Sequence, residues 1–174
     1  RLECRQDPPH HGQEIERQVA GLQQPGHAPQ KGKLLEIVGH LPQEAVRFLA
    51  ELQQLRDLPR DEAVGEIRIQ WAIRYGLQSA IQCVLDAGLH ILVDGNLERP
   101  HDSKEILLAL GRHGVIPAEL AHRIQGMAGF RNILVHGYLA VAPAIVHRLL
   151  NERLDDFVTF AAHVVAYLDR EGGC

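Results

Sequence analysis

A chain of 174 residues, 45% hydrophobic and 23% charged, has enough apolar material for one soluble domain with a proper core. Its net charge of −4 excludes a global attraction to nucleic acid or anionic membranes, so any RNA- or DNA-binding surface has to be local and built from clustered arginines. Cys4, Cys83 and Cys174 stand at no metal-ligand or disulfide-framework spacing, which points to a reducing compartment with Cys83 as a small buried hydrophobe.

Residues 1–33 are rich in Pro, Gly, Gln and His, and only Ile15 to Leu22 suits a short helical turn. They read as an extension or an artificial remnant rather than a domain. His10 and His11 have no cysteine or carboxylate at ligand spacing and read as part of a solvated tail. Residues 34–170 form the expected domain. Pro42 fits a first helical turn, and Ala45, Leu49, Leu52 and Leu55 repeat at helical spacing until LPRDE interrupts them. A long helix is expected from Ile67 to Val93, with Ile73, Leu77, Ile81, Val84, Gly88 and Ile91 on one face. Turn chemistry makes Asp94 to Pro100 a loop.

Asp102 or Ser103 can cap a helix from Lys104 to Arg112, ended by Gly114. Pro117, at position N1, opens a further helix that carries Leu120, Ile124 and Met127 into the next segment. Pro143 starts the last helix, where Val146, Leu150, Leu154, Phe157, Ala161, Val164 and Leu168 make a near-heptad stripe. No segment alternates with period two. The expected fold is all-α, an antiparallel bundle of four to six helices. No apolar run approaches a membrane span and the start lacks a secretory core, so the expected location is the cytoplasm.

The chain has no Gly-rich phosphate loop, paired-cysteine zinc site or Gly-x-Ser-x-Gly elbow. What remains is GFRNILVHGYL, residues 129–139. On a helix Asn132 and His136 share a face, whereas Arg131 lies about 140° from His136 at ~100° per residue. Ile133, Leu134 and Val135 are the expected anchors to the core. One copy makes an awkward Arg–His pair. Two copies meeting on a two-fold axis bring each His to the other chain's Arg. Histidine titrates nearest neutrality and arginine's charged fork matches a phosphate. Together they suit metal-free RNA cleavage, in which His moves a proton at a 2′-hydroxyl or leaving oxygen and Arg steadies charge on phosphorus. Asn132 can orient His136 or fix the backbone, and Gly137 frees Tyr138 to sit at the rim. The competing reading is structural, because a His on a helix more often packs than reacts.

RNILVHGY resembles the Arg-(four residues)-His-x-Tyr signature of the HEPN superfamily, in particular its HepT-like toxin branch. The resemblance runs from about Leu41 to Leu168, through GVIPAELAHRIQGMAGFRNILVHGY and LLNERLDDFVTF. It implies a homodimeric helical bundle that is a metal-independent endoribonuclease needing no cofactor, with Arg131 and His136 as the catalytic pair and Asn132 supporting. It also implies a nucleotidyltransferase-type antitoxin as partner and Tyr138 as a residue that can be adenylylated, adding bulk and negative charge beside Arg131. The family often has an acidic residue near Gln78, Tyr at His147 and a capping Asp at Ala142, so this chain departs at three points.

A second polar group can belong to the same site. Arg74, Gln78, Gln82, Asp86 and His90 recur every four residues on an otherwise apolar helix. Solvation is the simpler reading for Arg74 and Gln78, whereas Gln82, Asp86 and His90 are candidates for site support, with Asp86 orienting a histidine or restraining an arginine. His90 suits a structural role equally well. His113, His122, His147 and His163 show no partner pattern, and Asp155-Asp156 reads most simply as a solvated face. Arg112, Arg123, Arg131 and Arg148 can supply local positive charge. Two alternatives to the enzyme stay open: a catalytically silent helical partner of a nucleotidyltransferase, with Tyr138 as acceptor or docking residue, and a purely structural dimer.

Overall fold

The computed structural model describes residues 47–136 and 141–172, all within a unit spanning residues 31–174. The expected extension at residues 1–33, and Pro42 and Ala45, lie outside the described residues, as do Cys4, Cys174, Gly137 and Tyr138. Residues 47–56 are helical and are followed by α1 (Arg60–Gly65), α2 (Ile67–Asp94), α3 (Ser103–Arg112), α4 (Ala118–Ile124), α5 (Gly126–His136) and α6 (Pro143–Gly172). No strand occurs among the described residues. The all-α bundle expected from the sequence is the observed fold.

At 28 residues and ~1.5 Å per residue, α2 is about 42 Å long and touches α1, α3, α5 and α6. Its expected inward face is the buried one: Ile73, Leu77, Ile81, Val84, Gly88 and Ile91 all lie in the core. Gly88 matters by what it lacks. A Cβ there would stand 2.8 Å from Ile106 Cγ2 and 2.9 Å from Leu110 Cδ1, so α3 packs against α2 through this notch. By length and composition alone α2 could cross a membrane, contrary to the expectation that no segment could. However, 56% of its apolar window is buried inside the bundle, as befits a core helix.

The ends of α2 and α3 follow local chemistry. Asn96 takes the left-handed position in the loop at φ +51°, whereas Gly95 stays at φ −73°. Asp102 is the cap of α3, its carboxylate accepting the Glu105 N–H at 2.8 Å. Gly114, at φ +67°, ends that turn as expected. Glu98 ties the α2–α3 loop to the end of α3, accepting from Arg112 at 2.6 Å and meeting His113 Nε2 at 3.0 Å. These hydrogen bonds hold the Glu98 carboxyl below its usual range, with the Arg112 bond the larger cause.

Several expectations need correction. LPRDE is not a plain break: Pro59, with φ fixed by its ring, serves as the N-cap of the short helix α1. Pro117 is likewise the N-cap of α4 and not N1, and the helix it opens breaks at Gln125. There the Gln125 side-chain amide donates to the His122 carbonyl at 2.9 Å, the acceptor a continuous helix would offer to the Gly126 N–H. On α6, Ala161 is exposed and Phe160 fills the core in its place, because a 3.6-residue period drifts off a heptad stripe over a 30-residue helix. Cys83 is half-buried. Asp155 is solvated but Asp156 is not: only 8% exposed, it accepts from Arg123 Nε at 2.9 Å and lies 3.3 Å from Arg153 Nη1. Asp156 therefore latches α4 to α6.

Candidate functional site

The site is built on α5 and on the polar side of α2, which pack together. Leu134 fixes α5 to the core at 4% exposed, and Val135 is half-buried. Ile133 is not the anchor expected of it. It is 47% exposed, on the same face as Asn132 and His136, both of which are also exposed. Arg131 is half-buried, and its Nη1 donates to Asn132 Oδ1 at 3.0 Å. Within the chain Asn132 therefore meets the arginine. Among the described residues His136 makes no hydrogen bond, so its ring stands at the C-terminal end of α5 presented outward.

The stripe on α2 is half-buried along its whole length, from Arg74 and Gln78 through Gln82, Asp86 and His90. Arg74 and Gln78 are therefore only partly solvated. Both line a groove at the start of α2, and Arg74 Nη2 donates to the Val141 carbonyl at 2.7 Å. Further along, Gln82 Nε2 donates to Asp86 Oδ1 at 2.7 Å, and His90 Nδ1 lies 3.9 Å from Asp94 Oδ2. Burial pushes the Asp86 carboxyl above its usual value. The Gln82 hydrogen bond and then the charges of His90 and Arg131 pull it back. Asp86 therefore sits in the field of Arg131, which joins the two halves of the site.

Two buried side-chain atoms have no hydrogen-bond partner among the described residues: Gln82 Oε1 and Arg131 Nε. Each such atom costs about 1–3 kcal/mol in an otherwise finished core. Among the described residues, no three His, Cys, Asp or Glu side chains cluster to hold a metal ion.

Not all of the expected basic surface is available. Arg112 is committed to Glu98 and Glu105, and Arg123 to Asp156. His113, expected to lack a partner, has Glu98, and His147 meets the Asn151 amide. Arg131 and Arg148 remain as the expected sources of local charge. Sequence periodicity could not have revealed Asp156 or Glu98 as the arginines' partners, since both pairings join residues far apart in the chain.

The raised Asp86 pKa yields a signed expectation. The folded chain binds this proton more readily than the unfolded chain, so Asp86 lowers stability as pH rises from its ordinary value of 3.8 through its folded value. Asp86→Asn, which keeps an oxygen for Gln82, is expected to raise Tm at neutral pH, with the gain fading below that window. Thermal unfolding across pH checks this, and a Tm shift that does not vary with pH would contradict it.

The tRNA nuclease HepT of Aphanizomenon flos-aquae is 25% identical over 134 residues, covering 77% of this chain and 86% of that one. The mRNA nuclease HepT of Shewanella oneidensis is 27% identical over 95 residues, 55% of this chain and 71% of that one. A solved structure of a tri-AMPylated HEPN toxin of Shewanella oneidensis, in complex with an MNT antitoxin, superposes with a TM-score of 0.69. It is 24% identical and covers 75% of this chain and 97% of that one, a likeness that speaks for the fold. The sequence model described as "Ribonuclease HepT-like" matches residues 43–164, which takes in α1 to α5 and most of α6. The chain belongs to the ribonuclease HepT-like family.

Proposed function

We propose that this chain is the ribonuclease toxin of a HEPN/nucleotidyltransferase toxin–antitoxin pair, cutting RNA without a metal at sites shared by two copies. The supporting observation is how α5 divides its polar residues. Arg131 is drawn inward beside Asp86 and bonded to Asn132, while His136 points outward with no partner among the described residues. One chain thus offers a held phosphate-binding group and a proton-transfer group that do not meet. Exposed Ile133, beside His136, gives a second copy an apolar contact at the same place.

In the reaction His136 takes the proton of a 2′-hydroxyl, whose oxygen attacks the adjacent phosphorus, or gives a proton to the departing 5′-oxygen. Arg131, carried to the scissile phosphate with Asn132 and Asp86 behind it, steadies the charge that builds on the non-bridging oxygens. Asp86 and Gln82 act as positioning residues. His90, paired with Asp94, contributes to the field around Asp86. The partner is a nucleotidyltransferase-type antitoxin, and adenylylation of Tyr138 would place phosphate and bulk two residues from His136, opposing RNA.

The test is incubation of purified chain with tRNA and with mRNA in excess chelator. Cleavage of at least one RNA, unaltered by chelator, is expected. Failure to cut either would overturn the enzyme, and loss on chelation would overturn the metal-free mechanism. Co-expression with the antitoxin should add adenylyl mass to the chain and none to Tyr138→Phe.

A further inference from the structure

Two aromatic rings stand one turn apart at the start of α2 with most of their surface in water: Trp71 is 62% exposed and Tyr75 is 63% exposed. Aromatic side chains carry large apolar areas that folding ordinarily removes from solvent, so a pair left out marks a binding surface. Tyr75 is held in place, its ring meeting Phe48 edge-on at 6.2 Å between centroids. Together with Gln70, Arg74, Gln78 and Val141 the two rings line a groove of ≈ 380 Å³. Among the described residues the lining carries the charge of Arg74 and no carboxylate, and Arg68 is exposed one turn before Trp71.

The groove is also close to the reaction. Val141 follows His136 by five residues, which span at most ~18 Å even when fully extended. A few nucleotides of extended RNA cover that distance. Flat rings, polar amide side chains and arginine charge are the parts from which proteins build platforms for single-stranded nucleic acid. A second copy of the chain would have to bury Gln70, Arg74 and Gln78 in this groove. Exposed apolar residues on α5 and α6, such as Ile133, Val158 and Val165, give a copy other surfaces to meet.

We propose that this groove is a flanking-nucleotide subsite, where Trp71 and Tyr75 stack on unpaired bases of the RNA beside the cleaved bond and Arg68 and Arg74 draw in its phosphates. The proposal rests on the ribonuclease reading and supplies its selection for single-stranded substrate. Trp71 is the only tryptophan in the chain, so its emission reports on this groove alone.

The experiment titrates the full chain with a short single-stranded oligoribonucleotide, 2′-O-methylated to block cleavage, and follows tryptophan fluorescence. Saturable quenching is expected, with little from the same sequence as a duplex. With a labelled oligonucleotide followed by anisotropy, Trp71→Ala should weaken binding by about 5- to 150-fold and Trp71→Phe should restore most of it. Absence of quenching, or equal quenching by duplex, would overturn the subsite. So would emission that shifts with protein concentration but not with RNA, which would assign the groove to a second copy. A chain that cuts RNA without quenching loses only the subsite; one that quenches without cutting loses only the ribonuclease.

Discussion

Replacing His136 or Arg131 by alanine is expected to lower RNA cleavage by about 10²–10⁴-fold each, the usual worth of a positioned proton-transfer group or charge stabiliser. His136 is exposed, and among the described residues Arg131 makes one hydrogen bond, to its neighbour Asn132, so circular dichroism of both variants serves as the check that the fold is kept. The informative step is to refold the two inactive variants together. If each site takes His136 from one copy and Arg131 from the other, a mixed dimer keeps one intact site and loses the other. Statistical mixing then returns about a quarter of the wild-type activity. If both residues of a site come from one chain, mixing returns nothing. The assay is cleavage rate against mixing ratio, and a flat profile at the level of the single variants would reject the shared site while leaving the enzyme standing. Because Arg131 and His136 share no hydrogen bond within the chain, recovery is the expected outcome.

Much of this was legible before the fold was seen, and the reason differs from one element to the next. The long helix α2 announced itself because its buried face repeats at 3.6 residues without interruption from Ile73 to Ile91. Asp102, Gly114 and Pro143 marked helix ends through preferences that act within four residues. The break at Gln125 was hidden because it turns on one side-chain amide competing for a backbone carbonyl, and no periodicity registers that. Local sequence marks Asp156 as solvated; Arg123, 33 residues earlier, joins the nearby Arg153 to make its burial tolerable. The candidate site was partly legible in the same way. The spacing of Asn132 and His136 is a local fact, whereas the field of Arg131 on Asp86 depends on how α5 lies on α2. Nothing in the spacing singles out Trp71 and Tyr75, because an apolar residue on a helix does not declare that its side of the helix has no neighbour.

The largest effect on stability is expected at the contact of α2 with α3. Leu110 is fully buried, and truncating it to alanine removes a side chain that fills the notch at Gly88, at a cost of about 2–5 kcal/mol from lost transfer energy and the cavity left behind. Gly88→Ala alone has two opposed effects. Alanine favours a helix interior by about 1 kcal/mol over glycine, but its Cβ would press on Ile106 and Leu110 at 2.8 and 2.9 Å, and overpacking costs about 1–3 kcal/mol. In the double variant the new methyl enters space that Leu110 has vacated, so the clash is halved and the helix preference is kept. The double variant is therefore expected to be less destabilised than the sum of the singles, by about 0.5–3 kcal/mol. Urea unfolding followed by helical circular dichroism at one protein concentration measures the cycle, provided the slopes agree. Additivity within ~0.3–0.5 kcal/mol would mean that the two side chains do not meet. Gly88 lies between Asp86 and His90 along α2, on the face that α3 covers, so the cycle reads the packing of the same stretch of helix that carries the polar stripe.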